Sequence, residues 1–388
     1  MLNKNDVGKL QGKVFSERES LITELLEVKH FKILKHGFAA LLIGYIVRDL
    51  VKSLSNTKDV NFGIGIIRLA FKNFHYALAC WIVLLGISLL AYELFKCWAL
   101  TKIKLNPKSI HIKICDVIGI SLLILYYVMC ILLFPLLWMN SLRMGMASYF
   151  ALLCENIRFL MKSHAFIRSN APDVNKHKPH SDEILDLPTL KNYLYFLFAP
   201  TLVYRKEYPR TKNVNINKAL LYFLEMFCII WLEGYISESY FVQPFRHIGK
   251  LKVDWTDIAV IVIENSIAGG LIMLINFYLI LHVWCNACAN LLGFADRRFY
   301  EDWWTATNYA IYFRHWNIVV HDWLYEYVYM DFYHYIIPNN KTVANLALGN
   351  SILVSTHVIE YYARSNCPYT DNRNSSILIP RLITLDCT

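Results

Sequence analysis

Long apolar runs limit the fold of this chain more than any other sequence feature. A membrane-spanning helix needs about 20 mostly apolar residues, whereas barrel strands alternate in polarity over about ten residues. Seven mostly apolar runs of suitable length occur, at Gly37–Leu54, His75–Tyr92, Val117–Asn140, Ala147–Phe166, Ala219–Tyr235, Ile258–Leu281 and Val343–Tyr362. The sequence therefore predicts an all-α, polytopic transmembrane helical bundle.

Charge gives the predicted orientation. Only 18% of residues are charged, below the roughly 25% of soluble domains, yet the net charge is +9. The excess lies in the loops Lys96–Lys113 and Arg158–Lys218, which the positive-inside tendency places in the cytosol. The amino terminus is then cytosolic and the carboxyl terminus lumenal. No basic stripe alternates with exposed aromatic residues, so membrane lipid is the predicted partner, and nucleic acid is not.

Two of the apolar runs contain ionisable side chains. Glu155, Arg158 and Lys162 lie in the fourth run, and Glu225 and Glu233 lie in the fifth. Ionisable groups at membrane depth are costly unless they face protein or a water-filled cavity. We therefore predict that these helices enclose an interior.

A cluster of aromatic and polar residues follows the sixth run. Phe299–Trp304 precedes Trp316–Asp322 along the chain. Asn317 and His321 are four residues apart and are predicted to share a helix face, which Tyr325 and Tyr329 continue. Such a face suits an amphipathic acyl substrate. A simple amphipathic helix at the membrane interface explains the same residue types, so the pattern leaves both interpretations open.

The first of these segments resembles the FYxDWWN motif of the membrane-bound O-acyltransferases that esterify sterols and diacylglycerol. The matching motif residues are Phe299, Tyr300, Asp302, Trp303 and Trp304. From about residue 13 onward, further segments resemble the sterol O-acyltransferase branch, namely Lys13–Phe15, Glu24–His30, Asn156–His164, Tyr193–Arg210, Asn317–Phe332 and Tyr362–Pro368.

The resemblance implies acyl-CoA-dependent formation of sterol esters in the endoplasmic reticulum membrane. Fatty acyl-CoA and sterol are the implied partners, and the chain is expected to form homo-oligomers as family members do. Acyl-CoA serves as a co-substrate, with no separate cofactor. Cys285 and Cys288 have a metal-type spacing, but no second pair accompanies them, so no metal site is predicted.

Site residues follow from the same resemblance, position by position. Asn317 matches the active-site Asn of the family. Positions lining the acyl-CoA tunnel are matched by Arg314, Asn317, His321, Tyr329 and Lys341. The cations among them suit the anionic CoA phosphates. His30 matches a position near the sterol path.

The chain departs from the family pattern at two places. Thr305 stands where the family motif ends in Asn. The His-Glu-Tyr motif that carries the general base of the family has no match, and the nearest imidazole, His357, stands two residues early. A shift of two residues turns a helical side chain by about 200°. His357 is therefore only a weak candidate for the base.

An internal deletion explains the missing motif. Lys341–Leu346 resembles the start of the seventh span of the family, and Leu348–Leu353 runs into the end of its ninth. Two crossings, roughly 50–70 residues, are then missing near residues 346–349. We predict a cytosolic segment at 1–36, an acyltransferase domain at 37–365 and a lumenal tail at 366–388. An even number of lost crossings leaves the tail in the lumen.

The tail carries Cys367 and Cys387 beside the sequon at Asn374. An oxidising lumen favours a disulfide between the two thiols, with two free cysteines as the alternative.

Impaired activity is expected because the general base of the family is missing, and reduced stability is expected because the chamber loses a wall. The sequence leaves three alternatives open. The acceptor is diacylglycerol or another alcohol; or the chain is a non-catalytic isoform that binds acyl-CoA, sterol or full-length subunits; or the sequence itself joins two segments wrongly.

Overall fold

The computed structural model describes residues 12–56, 63–106, 108–130, 134, 142–177, 186–242, 254–336, 338 and 340–349. Within these ranges all regular elements are helical, and only isolated β-bridges accompany them. The α-helices are Leu21–Glu27 (α1), Lys29–Asn56 (α2), Ile64–Ala70 (α3), Phe74–Lys104 (α4), Ile110–Val128 (α5), Met146–Lys176 (α6), Leu190–Phe198 (α7), Ile216–Ile236 (α8), Trp255–Phe277 (α9), Cys285–Leu292 (α10), Tyr309–Trp316 (α11) and Ile318–Leu324 (α12).

Several of these helices continue through π-helical turns. Such turns extend α8 through Ser237–Val242 and join α9 to α10 through Tyr278–Trp284. Helical geometry also continues from α12 as far as Ile336, and a last described helical segment covers 341–349. π-Helical turns often occur at functional sites in proteins. Here two of them lie in the region for which the sequence predicts a site.

Five helices in the described part of the chain are long and apolar enough to cross a membrane. They cover Lys29–Arg48, Phe74–Lys104, Ile110–Val128, Ile216–Val242 and Trp255–Leu292. Each overlaps one of the seven predicted runs, so the prediction of a polytopic helical bundle is confirmed. The seventh run, Val343–Tyr362, lies largely outside the described residues.

The fourth predicted crossing, Ala147–Phe166, is helical but is not among these five. It forms part of α6, whose inward face buries Asn156, Lys162, Ser163 and Asn170. Polar residues at these positions lower the hydropathy of the helix. α6 instead forms the centre of the largest hydrophobic core, where it packs against α4 and α7.

Two helices begin earlier in the chain than their apolar runs predict. The helix predicted from Gly37 begins at Lys29, so the expected domain boundary at residues 36 and 37 falls inside α2. The helix predicted from Val117 begins at Ile110, because the Ser109 hydroxyl accepts a hydrogen bond from the His111 amide at 3.2 Å. Such a cap satisfies one of the unpaired amides of the first turn.

Lys162 is the most deeply buried cation of the core, with 1% of its surface exposed. Its ammonium donates to the carbonyls of Phe196, Leu197 and Ala199 at 2.7, 3.0 and 2.6 Å. Those carbonyls lie at the carboxyl end of α7, where a helix lacks internal donors and carries partial negative charge. The expectation of an inward-facing ionisable group is confirmed here, and this group joins α6 to α7.

The segment before α1 crosses the surface of the later helices. The Arg18 guanidinium binds the Asp296 carboxylate through two hydrogen bonds of 3.1 and 2.9 Å. The Arg18 backbone also pairs with Ala295 and Arg297 at 2.9 Å. Residues 12–20 therefore lie against the chain immediately before the aromatic motif.

Candidate active site

The aromatic motif is anchored on α9 by ring packing. Phe277, near the end of α9, lies 5.0 Å from Tyr300, 5.1 Å from Trp303 and 4.8 Å from Trp316 between ring centroids. Phe299 and Tyr300 are completely buried. Edge-to-face aromatic pairs of this kind contribute about 0.5–1.5 kcal/mol each beyond burial. Part of the motif thus packs against α9 and holds the chain where α11 and α12 follow.

Backbone hydrogen bonds hold these helices against the motif. The Glu301 amide donates to the His315 carbonyl at 2.9 Å, and the Ile318 amide donates to the Phe299 carbonyl at 3.0 Å. The junction between α11 and α12 is therefore tied to the extended motif segment at two points. Asn317 lies within this junction.

Thr305 replaces the Asn of the family motif and still supplies a donor. Its hydroxyl lies 2.9 Å from the Asp302 carboxylate, and this hydrogen bond is the main cause that lowers the pKa of Asp302. His315 lies on the other side, 3.4 Å from the same carboxylate. The substitution thus keeps a hydrogen-bond donor for Asp302, whereas the buried indole nitrogen of Trp303 has no partner in the described part of the chain.

Asn317 takes a different position from the predicted one. It does not share the α12 face with His321, because it precedes the helix with a non-helical φ of −145°. Its side-chain oxygen caps the helix by accepting from the Val320 amide at 3.1 Å. An amide side chain has an acceptor oxygen and two N–H donors. The cap uses the oxygen, and no partner of the side-chain nitrogen is observed in the described part of the chain.

His321 begins a ladder of parallel rings, as the helical spacing predicts. The centroids of His321 and Tyr325 are 6.3 Å apart with an interplanar angle of 8°. Tyr325 and Tyr329 follow at 5.4 Å and 12°, and Tyr329 and Tyr333 at 6.2 Å and 7°. The four rings form one continuous strip, which we call the aromatic ladder. Tyr329 is buried and the other three side chains are half-buried, so the strip presents apolar ring surface together with phenol and imidazole groups.

Three other predicted residues are exposed and lie apart from the ladder. Arg314 is exposed on α11, and Lys341 is exposed where the helical segment 341–349 begins. His30 is exposed in the first turn of α2. Within the described ranges no hydrogen bond or ion pair of these side chains is observed. Their assignment to acyl-CoA and sterol binding stays a prediction.

Charged residues connect the helical segment 318–336, which carries the aromatic ladder and which we call the ladder helix, to the amino-terminal segment 12–20. The Lys13 ammonium lies 2.6 Å from the Asp322 carboxylate, and the Lys13 amide donates to Glu326 at 3.1 Å. Glu326 also accepts from Arg205 at 2.6 Å. Burial acts to raise the pKa of Asp322, but hydrogen bonds from His321 and Lys13 outweigh it and lower that pKa. His321 therefore has an ionised carboxylate beside it.

A buried polar network behind the motif was not predicted from the sequence. The Tyr300 hydroxyl lies 2.7 Å from Nδ1 of His282, and Asn286 donates to the Ser20 hydroxyl at 3.2 Å. His282 and Ser20 lie 3.4 Å apart. All four side chains are buried. Ser20 is far from the others in sequence, and only its position before an amphipathic helix could have drawn attention to it.

Three predicted residues lie outside the described residues. They are the weak general-base candidate His357 and the two cysteines of the expected disulfide, Cys367 and Cys387. These assignments stay predictions, as do the deletion near residues 346–349 and the lumenal tail.

Comparison with known proteins supports the motif assignment. The chain is 35% identical over 358 residues to sterol O-acyltransferase 1 of Chlorocebus aethiops, and this covers 92% of the chain and 64% of that protein. It is 36% identical over 359 residues to the Mus musculus protein of the same name, covering 92% of the chain and 65% of the relative. Human sterol O-acyltransferase 2 is 32% identical over 351 residues, covering 90% and 64%.

The chain thus spans just under two thirds of the length of these curated relatives. A family model described as membrane-bound O-acyltransferase matches residues 67–348, which include the motif, the aromatic ladder and most of the helical core. The chain belongs to the membrane-bound O-acyltransferase family.

Proposed function

We propose that the chain is a sterol O-acyltransferase of the endoplasmic reticulum membrane with impaired turnover. In this proposal fatty acyl-CoA binds along the aromatic ladder and a sterol supplies the alcohol. The proposal is carried by the ladder that runs from His321 to Tyr333 directly after the Asn317 cap. The similarity to proteins named sterol O-acyltransferase supports the choice of acceptor.

The ladder suits the acyl part of the substrate. The aromatic rings of the ladder can pack along a hydrocarbon chain, and ligand pockets combine apolar walls with few polar groups. The Asn317 amide at one end can donate a hydrogen bond to the thioester carbonyl, on which negative charge develops during attack. Arg314 precedes it on α11 and provides a cation for the CoA phosphates.

The reaction requires a base as well as a binding site. The sterol oxygen attacks the thioester carbonyl, a new C–O bond forms, the C–S bond breaks, and the CoA thiolate leaves. A general base that removes the hydroxyl proton typically contributes about 10²–10⁴-fold in rate. The base position of the family is not matched in the sequence, so we expect substrate binding with turnover reduced by about that factor.

Binding and turnover are tested separately. Purified chain is labelled with a photoreactive acyl-CoA, and labelling is competed with unlabelled acyl-CoA. The same preparation receives radioactive oleoyl-CoA with cholesterol or with diacylglycerol. We expect competed labelling within the segment from residue 309 to 336 and slow formation of cholesteryl ester only. Uncompeted labelling contradicts the proposal, and a preference for diacylglycerol contradicts its sterol part.

Competed labelling without any ester formation favours the non-catalytic alternative. Co-expression with a full-length sterol O-acyltransferase then measures whether the chain lowers the activity of its relative. A turnover near that of the full-length enzyme contradicts impairment, and its loss in His357→Ala assigns the base to His357.

A further inference from the structure

A deep slot lies between α4, α5 and α6, away from the motif and the aromatic ladder. Its volume is about 360 Å³. Its lining on α4 runs from Ala91 to Lys102, which is roughly 16 Å along a helix. Most of the walls are hydrocarbon, contributed by Ala91, Phe95, Ile120, Leu123, Ile167 and Ala171. The slot is therefore long, narrow and apolar over most of its length.

One end of the slot is polar. The Lys102 ammonium binds both oxygens of Asp116 at 2.6 and 2.7 Å and the Asn175 oxygen at 2.7 Å. The Trp98 indole donates to the same Asp116 carboxylate at 3.2 Å. These contacts neutralise Asp116. This end lies where α4 ends, α5 begins and α6 ends, which is one boundary of the membrane-spanning pair α4 and α5.

Further lysines lie close to this polar end along the chain, near the end of α4, the start of α5 and the end of α6. Lys104, Lys108, Lys113 and Lys176 are exposed there, and none is in an ion pair within the described part of the chain. The nearby acid Asp173 lies 3.4 Å from Lys206. With Asp116 neutralised by Lys102, the rim carries a net positive charge. Basic pockets at the membrane boundary of helical proteins bind anionic lipid headgroups.

We propose that this slot binds an anionic phospholipid of the surrounding membrane. One acyl chain lies in the apolar slot, and the phosphate contacts the lysine rim. The length and width of the slot fit one acyl chain. The net positive charge of the rim favours an anionic headgroup. A lipid without net charge lacks the attraction to the lysine rim, and a soluble phosphate lacks the acyl chain that fills the slot.

The slot is linked to the candidate site through α6. His164 lines the slot, and its ring packs 5.6 Å from Trp323 and 5.9 Å from Tyr327. Arg168 also lines the slot and binds Asp331 through two hydrogen bonds of 2.7 Å. A lipid that fills the slot supports the wall on which the ladder helix rests. Its removal should lower the thermal stability of the folded chain.

The test uses delipidated chain in a zwitterionic detergent. Dioleoyl phosphatidylserine, dioleoyl phosphatidylcholine or glycerophosphoserine is added, and lipid retention is measured by native mass spectrometry alongside the melting temperature. We expect phosphatidylserine to be retained at least tenfold more than phosphatidylcholine and to raise the melting temperature by several degrees. Glycerophosphoserine should have no effect.

Two variants locate the binding. Ala171→Phe fills the slot, with Ile118→Phe on the exposed face of α5 as its matched control. The triple change Lys104→Gln, Lys108→Gln and Lys113→Gln removes the rim charge without touching the core. Its control changes Lys191, Lys212 and Lys218, which are exposed elsewhere, to Gln. Both test variants should lose the phosphatidylserine shift, and both controls should keep it.

Three results would overturn the proposal. Equal retention of the two phospholipids removes the role of charge. A shift with glycerophosphoserine alone removes the role of the acyl chain. Unchanged phosphatidylserine retention in the triple lysine variant, which leaves the core intact, places the lipid elsewhere even if Ala171→Phe does not fold.

Discussion

Two cationic regions of the molecule differ in how their charge is satisfied. Lys162, between α6 and α7, is fully buried and donates to three carbonyls. Arg314 and Lys341, which precede and follow the aromatic ladder in the sequence, are exposed and have no observed partner in the described part of the chain. A cation that holds a fold together is saturated by the protein, whereas a cation that meets a ligand keeps its donors free. The predictions below test that distinction.

The largest expected effect is at Lys162. Lys162→Met keeps the length of the side chain but removes a donor from three buried carbonyls. Those of Leu197 and Ala199 keep a donor in Arg158 and in the Thr201 amide, whereas no other donor to the Phe196 carbonyl is observed in the described part of the chain. Removing one partner of a buried charged contact costs about 3–5 kcal/mol of unfolding free energy. A large drop in melting temperature, with loss of folded material during purification, is expected. Lys191→Met, at an exposed position on α7, is the control and should melt like the parent. A Lys162→Met protein as stable as the parent would contradict the structural role of Lys162.

The buried network behind the motif should show the next largest effect. Tyr300→Phe deletes only the hydroxyl that lies 2.7 Å from His282 and leaves that imidazole without this hydrogen bond. The expected loss is about 1–3 kcal/mol, measured by thermal or denaturant unfolding. Tyr76→Phe, at an exposed position on α4, serves as control. Equal melting of the two variants would mean that the hydroxyl of Tyr300 carries no structural role.

The exposed cations should behave in the opposite way. Arg314→Gln and Lys341→Gln should change the unfolding free energy by no more than about 0.5 kcal/mol. Each should weaken acyl-CoA labelling by roughly tenfold, because a charge-assisted hydrogen bond contributes about 1.5 kcal/mol or more. Labelling is measured at two salt concentrations, since the parent should lose affinity with salt more steeply than either variant. Unchanged labelling would place the CoA phosphates elsewhere.

Asn317 lies between these extremes, because its oxygen caps α12 and its nitrogen has no observed partner among the described residues. Asn317→Ala should cost about 1 kcal/mol through the lost cap and should also lose acyl-CoA labelling. Asn317→Asp keeps an acceptor for the Val320 amide but has no donor. Its melting temperature should therefore stay near that of the parent while labelling falls. If Asn317→Asp labels normally, Asn317 is only a helix cap.

The smallest expected effect is a pH dependence at Asp322. Its pKa is lowered in the folded chain, so the Lys13 contact stabilises the fold above the unfolded pKa of about 4. That contribution is lost as pH falls through the folded pKa. It should be below about 1 kcal/mol, as for other partly exposed pairs. Melting temperatures across acidic pH should therefore fall more steeply in the parent than in Asp322→Asn. Parallel curves would show that this contact adds nothing.

The local patterns that could be predicted are those with a short sequence period. Apolar runs of membrane length indicate helices because the backbone must be hydrogen-bonded within the segment inside a membrane. Four-residue spacing placed His321, Tyr325 and Tyr329 on one face, and the ladder follows from the same geometry. The pattern did not show that Asn317 stands before the helix, because a cap position has no signature in helical periodicity.

The sequence by itself determined the helical membrane class, the motif and the spacing of the ladder, because each depends on neighbours within a few turns. Only the tertiary structure decided which charged side chains find their hydrogen-bond partners within the protein. Lys162 meets carbonyls from α7, and Tyr300 meets His282 and the first turn of α1, through contacts between residues far apart in the chain. A side chain is free or satisfied according to what other elements bring to it, and no local pattern contains that information.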